Sequence, residues 1–116
     1  MERVAYAGEQ FLTGSDIAHA LIAYAQALSA AGEAGAVSIP IVDSRGEPGS
    51  AELLVGPASQ LIATRLLTDL PDPTDAELLE TLRQKTTELQ ARTAPVAAPY
   101  VEQAAAEGWY DADWDL

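Results

Sequence analysis

The chain has no cysteine and only one histidine, one methionine and one phenylalanine in 116 residues. Without cysteine there are no disulfides and no thiolate metal centres, and nothing points to an oxidising compartment. A single histidine cannot make a structural zinc site, which in most cases takes four Cys/His-type ligands. Cations are scarce too: six Lys and Arg stand against 18 Asp and Glu, for a net charge of −12. There is no basic patch interleaved with aromatics, so direct nucleic-acid binding is not expected, and a field of this sign repels anionic membranes. No apolar run approaches the length of a membrane span. The start, Met1-Glu-Arg-Val-Ala5, lacks the basic residues and apolar stretch of a signal peptide. These absences make a cytoplasmic protein with one modest core the expectation.

The apolar fraction, 48%, is ordinary for a folded domain, but much of it is alanine, so the core should be thin. The negative charge is uneven: −4 over residues 1–66, −3 over residues 67–92 and −5, with no base at all, over residues 93–116. Both tryptophans, Trp109 and Trp114, fall in that last stretch, within Glu107-Gly-Trp-Tyr-Asp-Ala-Asp-Trp-Asp-Leu116. A small domain usually spends its Trp on the core, because each ring buries a large apolar area.

Residues 2–13 read as a hairpin turning at Ala7-Gly8, with Val4 and Tyr6 on one face and Phe11 opposite; Gly8 can supply a positive φ. Ser15 is the expected N-cap of a helix, with Asp16 in its first turn. Ile17, Leu21, Tyr24, Leu28 and Ala31 form one apolar stripe along it, and Gly32 ends it. Residues 36–42 read as a strand. Pro40 makes it an edge strand, or one that meets its neighbour away from that position. Residues 43–50 have turn chemistry, residues 51–55 read as the returning strand, and Gly56-Pro57 breaks it. The pattern over 59–67 fits a strand or a short helix. Thr74 and Glu77 have capping-box spacing for a second helix, which carries Leu78, Leu82 and Leu89 to about Arg92. Residues 93–99 are a Pro/Ala linker. Residues 100–107 have room for two helical turns. The expected fold is α+β: residues 1–92 form an antiparallel sheet of about four to five short strands with two helices on one face, and residues 93–116 form a linker and an acidic Trp/Tyr tail.

On three motifs the chain resembles a family of small actinobacterial proteins that often carry the label of ATP-dependent DNA ligase. The motifs are Tyr6-Ala-Gly8 at the hairpin turn, Asp16-Ile-Ala-His-Ala-Leu21 opening the first helix, and Gly56-Pro-Ala-Ser-Gln-Leu61; a Pro-rich lead into the closing helix is also shared. The resemblance spans roughly residues 3–90. It implies a compact α+β domain with no established activity, and it brings no catalytic residues; the tail lies outside it. The ligase label does not fit these residues. Nucleotidyl transfer needs a lysine nucleophile in a Lys-x-Asp-Gly setting. The one lysine here, Lys85, precedes Thr86-Thr87-Glu88 in a helical stretch, and there is no Gly-rich phosphate loop.

The remaining candidates for chemistry are sparse. His19 lies off the apolar stripe, with Asp16 one turn away, and as a general base it would still need a nucleophile. Ser59 follows Gly56-Pro57 without the second glycine of a nucleophile elbow. Asp111, Asp113 and Asp115 echo the first ligands of an EF-hand loop, but Leu116 stands where that loop needs glycine and the bidentate glutamate is missing. No metal and no cofactor is expected. The tail residues Trp109, Tyr110, Asp111, Asp113, Trp114 and Asp115 are the candidate partner-binding set: the aromatics make rigid anchors and the aspartates steer toward a basic groove. The reading is a non-enzymatic interaction module that binds a protein partner, or itself, through this tail and a sheet edge. The alternative is an acidic nucleic-acid mimic occupying a basic site on a DNA- or RNA-handling protein.

Overall fold

The structure is a computed structural model, and it describes residues 1–93. It is α+β: a five-stranded antiparallel sheet with two helices. In chain order the elements are β1 (Glu2–Tyr6), β2 (Glu9–Thr13), α1 (Ser15–Ala31), β3 (Gly35–Val42), β4 (Pro48–Val55), β5 (Leu61–Arg65) and α2 (Ala76–Thr93). The strand order is β4-β3-β2-β1-β5.

The first hairpin has the expected turn and register, with Val4 opposite Phe11 and Tyr6 opposite Glu9. Both turn residues take positive φ, Ala7 at 52° and Gly8 at 82°. That is the backbone a two-residue hairpin needs to match strand twist, and at Ala7 it is adopted against the steric preference of a Cβ. The segment 59–67, open to either element by its pattern, contains strand β5, which pairs with β1 from Glu2–Arg65 to Tyr6–Leu61. β4 begins at Pro48, earlier than the turn chemistry of 43–50 implied. The reason is that Asp43 alone closes a tighter turn. Its carboxylate accepts the N–H groups of Arg45 and Glu47, at 2.8 and 2.9 Å, so the chain is extended again by residue 48.

β2 and β3 meet at a single bridge, Leu12–Val42. Pro40 explains why the ladder stops there. It has no N–H to donate, and its carbonyl accepts the Thr13 hydroxyl at 2.8 Å instead of a backbone partner. β3 is interior in strand order: Pro40 stays in register with Ser50 of β4, and β3 meets β2 away from Pro40, at Val42.

Alternation divides the sheet into two faces. Val37 and Ile39 of β3 and Leu53 and Val55 of β4 are buried on one face with Ile17, Leu21, Tyr24 and Leu28 of α1 and Leu82 and Leu89 of α2. α2 packs along α1. Gly32 ends α1 in the left-handed region, and its N–H and that of Glu33 bond back to the last turn.

Both expected helix starts are displaced. Ser15 is the first helical residue, and Gly14 holds the cap position with no side-chain cap bond. The Ser15 N–H is instead satisfied at 3.2 Å by Asp72, 57 residues later in the chain. For α2 the cap is Asp75, whose carboxylate accepts the Leu78 N–H at 3.0 Å. An aspartate caps better than a threonine, and Thr74 sits one residue too early to reach.

Candidate functional site

The second face of the sheet carries no helix among the described residues. Period-two alternation puts Arg3 and Ala5 of β1, Ile62 and Thr64 of β5, and Ala36, Ser38, Glu52 and Leu54 of the β3–β4 pair on this face. Leu54 is 68% exposed and Ile62 is 63% exposed. They are large apolar side chains of separate strands on the uncovered side of the sheet, a placement that marks contact surfaces when the apolar area is contiguous.

Between them runs an open groove of about 710 Å³, walled by Ala5, Tyr6, Ala7 and Gly8 at one side and by Leu54, Gly56, Pro57 and Ala58 at the other, with Ala34, Ser59, Gln60 and Ile62 completing it. No carboxylate, amine, guanidinium or imidazole lines it. Its three side-chain polar groups are the Tyr6 and Ser59 hydroxyls and the Gln60 amide, and both hydroxyls are engaged. Tyr6 donates to the Leu54 carbonyl, linking β1 to the far strand β4, and lies 3.2 Å from Ser59 Oγ. Ser59 Oγ accepts the Gly56 N–H at 2.8 Å, and the Ser59 N–H returns to the Gly56 carbonyl. Ser29 of α1 donates to the Pro57 carbonyl at 3.1 Å. The Gly56–Ser59 turn is thus pinned to itself, to β1 and to α1, so its wall is formed in advance of any contact. Gly-Pro marks a turn here, as the missing second glycine implied.

A charged cluster lies elsewhere, where β1, α1 and the β5–α2 connection meet. The α-amino group of Met1 reaches Asp72 at 2.9 Å and Ser15 Oγ at 3.1 Å. Ser15 in turn donates to the buried Glu2 carboxylate at 3.1 Å. Its hydrogen bonds to the α-amino group and then to the Ser15 N–H hold the Asp72 carboxyl below the ordinary carboxylate range. The α-amino group pairs with Asp72, and Glu2 is held by the Ser15 hydroxyl, which makes the cluster a structural clasp. At the far end of α1, Arg92 grips Glu33 through two bonds of 2.7 and 3.2 Å. That guanidinium lowers the Glu33 carboxyl. Burial raises the Tyr24 phenol above its ordinary value, and Glu33 adds to the effect.

The sequence candidates are dispersed. His19 is exposed on α1 and forms no ion pair with Asp16. No cluster of three potential metal ligands occurs among the described residues. No helix there is long and apolar enough to cross a membrane. The partner-binding set Trp109, Tyr110, Asp111, Asp113, Trp114 and Asp115 lies outside the described residues. The groove itself was missed by sequence reasoning. Its one signal was the pair of apolar residues, Leu54 and Ile62, each interrupting the polar side of a strand. No protein-family model, curated protein or solved structure matches this chain.

Proposed function

We propose that this chain is a cytoplasmic, non-enzymatic interaction module that binds a protein partner, or a second copy of itself, through its acidic aromatic tail and the open side of its sheet. The observation that carries this reading is the groove. It is largely apolar, held rigid by Tyr6 and Ser59, and lined by no carboxylate, amine, guanidinium or imidazole, a composition suited to contact rather than to proton transfer or nucleophilic attack. β4 and β5 also leave sheet edges unpaired among the described residues. Membership of the actinobacterial family is part of the same proposal, and the resembling segments 6–8 and 56–61 supply most of the groove lining.

The test is affinity capture from a lysate of the source organism with the native chain, with Trp109→Ala/Trp114→Ala and with Leu54→Asp. Proteins retained by the native chain and lost with both variants are the expected result. Retention that ignores all three substitutions but disappears in high salt would instead support the acidic mimic, whose contacts are screened charges.

A further inference from the structure

We infer that a second pocket, where β2 and β3 part, binds a short apolar peptide as its zwitterion, with the peptide's carboxylate at Arg3 and its ammonium group at Asp43. The site lies apart from the Leu54–Ile62 groove, and it stands or falls independently of the contact reading.

The pocket follows from the strand pairing. β2 and β3 share only the Leu12–Val42 bridge, so Gln10 and Phe11 run on without a β3 partner while the chain turns away at Asp43. The space left between them has a volume of about 450 Å³, within the range of about 300–1,000 Å³ typical of small-molecule sites. Phe11, Leu12, Ile41, Val42 and Leu66 give it apolar walls, and the only charged residues in its lining are Arg3 and Asp43. These two do not pair with each other, and neither has an ionic partner among the described residues. The Asp43 carboxylate is fixed in place, because its Oδ1 accepts the Arg45 and Glu47 N–H groups. Its Oδ2 accepts no hydrogen bond among the described residues.

The ligand class follows from these two charges. A ligand with a carboxylate alone meets Arg3 but is opposed by Asp43 and by the chain's net charge of −12. A ligand with an ammonium group alone meets Asp43 but is opposed by Arg3. A zwitterion satisfies both residues and carries no net charge. Spacing sets its length. Arg3, Leu12 and Val42 stand opposite one another on β1, β2 and β3. The Arg3 and Val42 backbones are therefore two strand spacings, about 10 Å, apart, and Asp43 follows Val42. An extended peptide of two residues spans about 7 Å and one of three about 10 Å, so a di- or tripeptide joins the two charges and turns its apolar side chains to the walls.

The test is a titration of the full-length protein, labelled with nitrogen-15, with Leu-Leu, N-acetyl-Leu-Leu and Leu-Leu amide, followed by amide chemical shifts. Leu-Leu should give saturable shifts at residues 3, 10–12 and 41–44. Blocking either end should weaken binding about five- to tenfold. Arg3→Gln, at an exposed position where the fold is retained, should make Leu-Leu and its amide bind alike. Asp43→Asn, which keeps an Oδ1 acceptor for the turn, should make Leu-Leu and its N-acetyl form bind alike. The blocked peptides test the same charges on the native chain, so the result does not hang on either variant folding. No saturable shift with Leu-Leu overturns the inference. So do shifts confined to other residues, or equal binding of all three peptides. Tighter binding of a blocked form than of Leu-Leu assigns the pocket to ligands of one charge and overturns the zwitterion. The contact reading is decided separately, by the capture experiment.

Discussion

Asp72 does two jobs with one carboxylate: it pairs with the Met1 α-amino group and supplies the cap that Gly14 cannot. Asp72→Asn keeps the shape and removes the charge, and by analogy with caps should cost about 1 kcal/mol in urea unfolding at pH 7. The pH dependence follows from the lowered carboxyl. Its stabilisation is complete above the ordinary carboxylate value and is lost as pH falls through the lower folded value. The gap between native and variant stability should therefore narrow from about pH 4 downward. Thr86 presents the opposite case. It is buried on the α1-facing side of α2, and its hydroxyl has no partner. Thr86→Val keeps the branched shape at nearly equal helix propensity and removes the unsatisfied group, so it should stabilise by up to about 1 kcal/mol. An unchanged midpoint would show that a solvent molecule satisfies the hydroxyl. Ala7 pays for the hairpin with a positive φ. Ala7→Asn, favoured in that turn, should raise the thermal midpoint, read by dichroism.

Elements were legible where the signal was local. The stripe from Ile17 to Leu28, the left-handed Gly32 and the Ala7-Gly8 turn each depend on neighbours within a few residues, and all three stand as read. Cap positions were not legible, because the α1 cap comes from Asp72, and no local pattern announces a partner 57 residues away. The strand over 61–65 was ambiguous for the same reason: only pairing with β1 decides it. Gly14 shows how tightly these distant pieces fit. A Cβ there would overlap the Pro73 carbonyl oxygen, a backbone atom that cannot swing aside. Gly14→Ala should destabilise by about 1–3 kcal/mol and loosen the start of α1, which amide exchange at residues 15–18 would register. The groove shares this non-local origin. It exists because Tyr6 of β1 reaches Leu54 of β4, strands that are not neighbours in the sheet. The candidate tail residues were legible only as composition.

At the scale of the molecule, one side of the sheet is covered by helices and the other is open among the described residues, with an apolar groove between Leu54 and Ile62, on a chain of net charge −12. A net charge of one sign opposes self-association while an exposed apolar patch invites contact, so under the proposed reading recognition falls to the open face. The most direct measurement is photo-crosslinking from position 62, with a benzophenone side chain in place of Ile62 and, as control, in place of the exposed His19 on α1. Contact at the open face predicts mass-spectrometric crosslinks from position 62 to a second polypeptide when a partner is present, with few from position 19. Crosslinks from position 62 no more frequent than those from position 19 would contradict the assignment of this face as the contact surface.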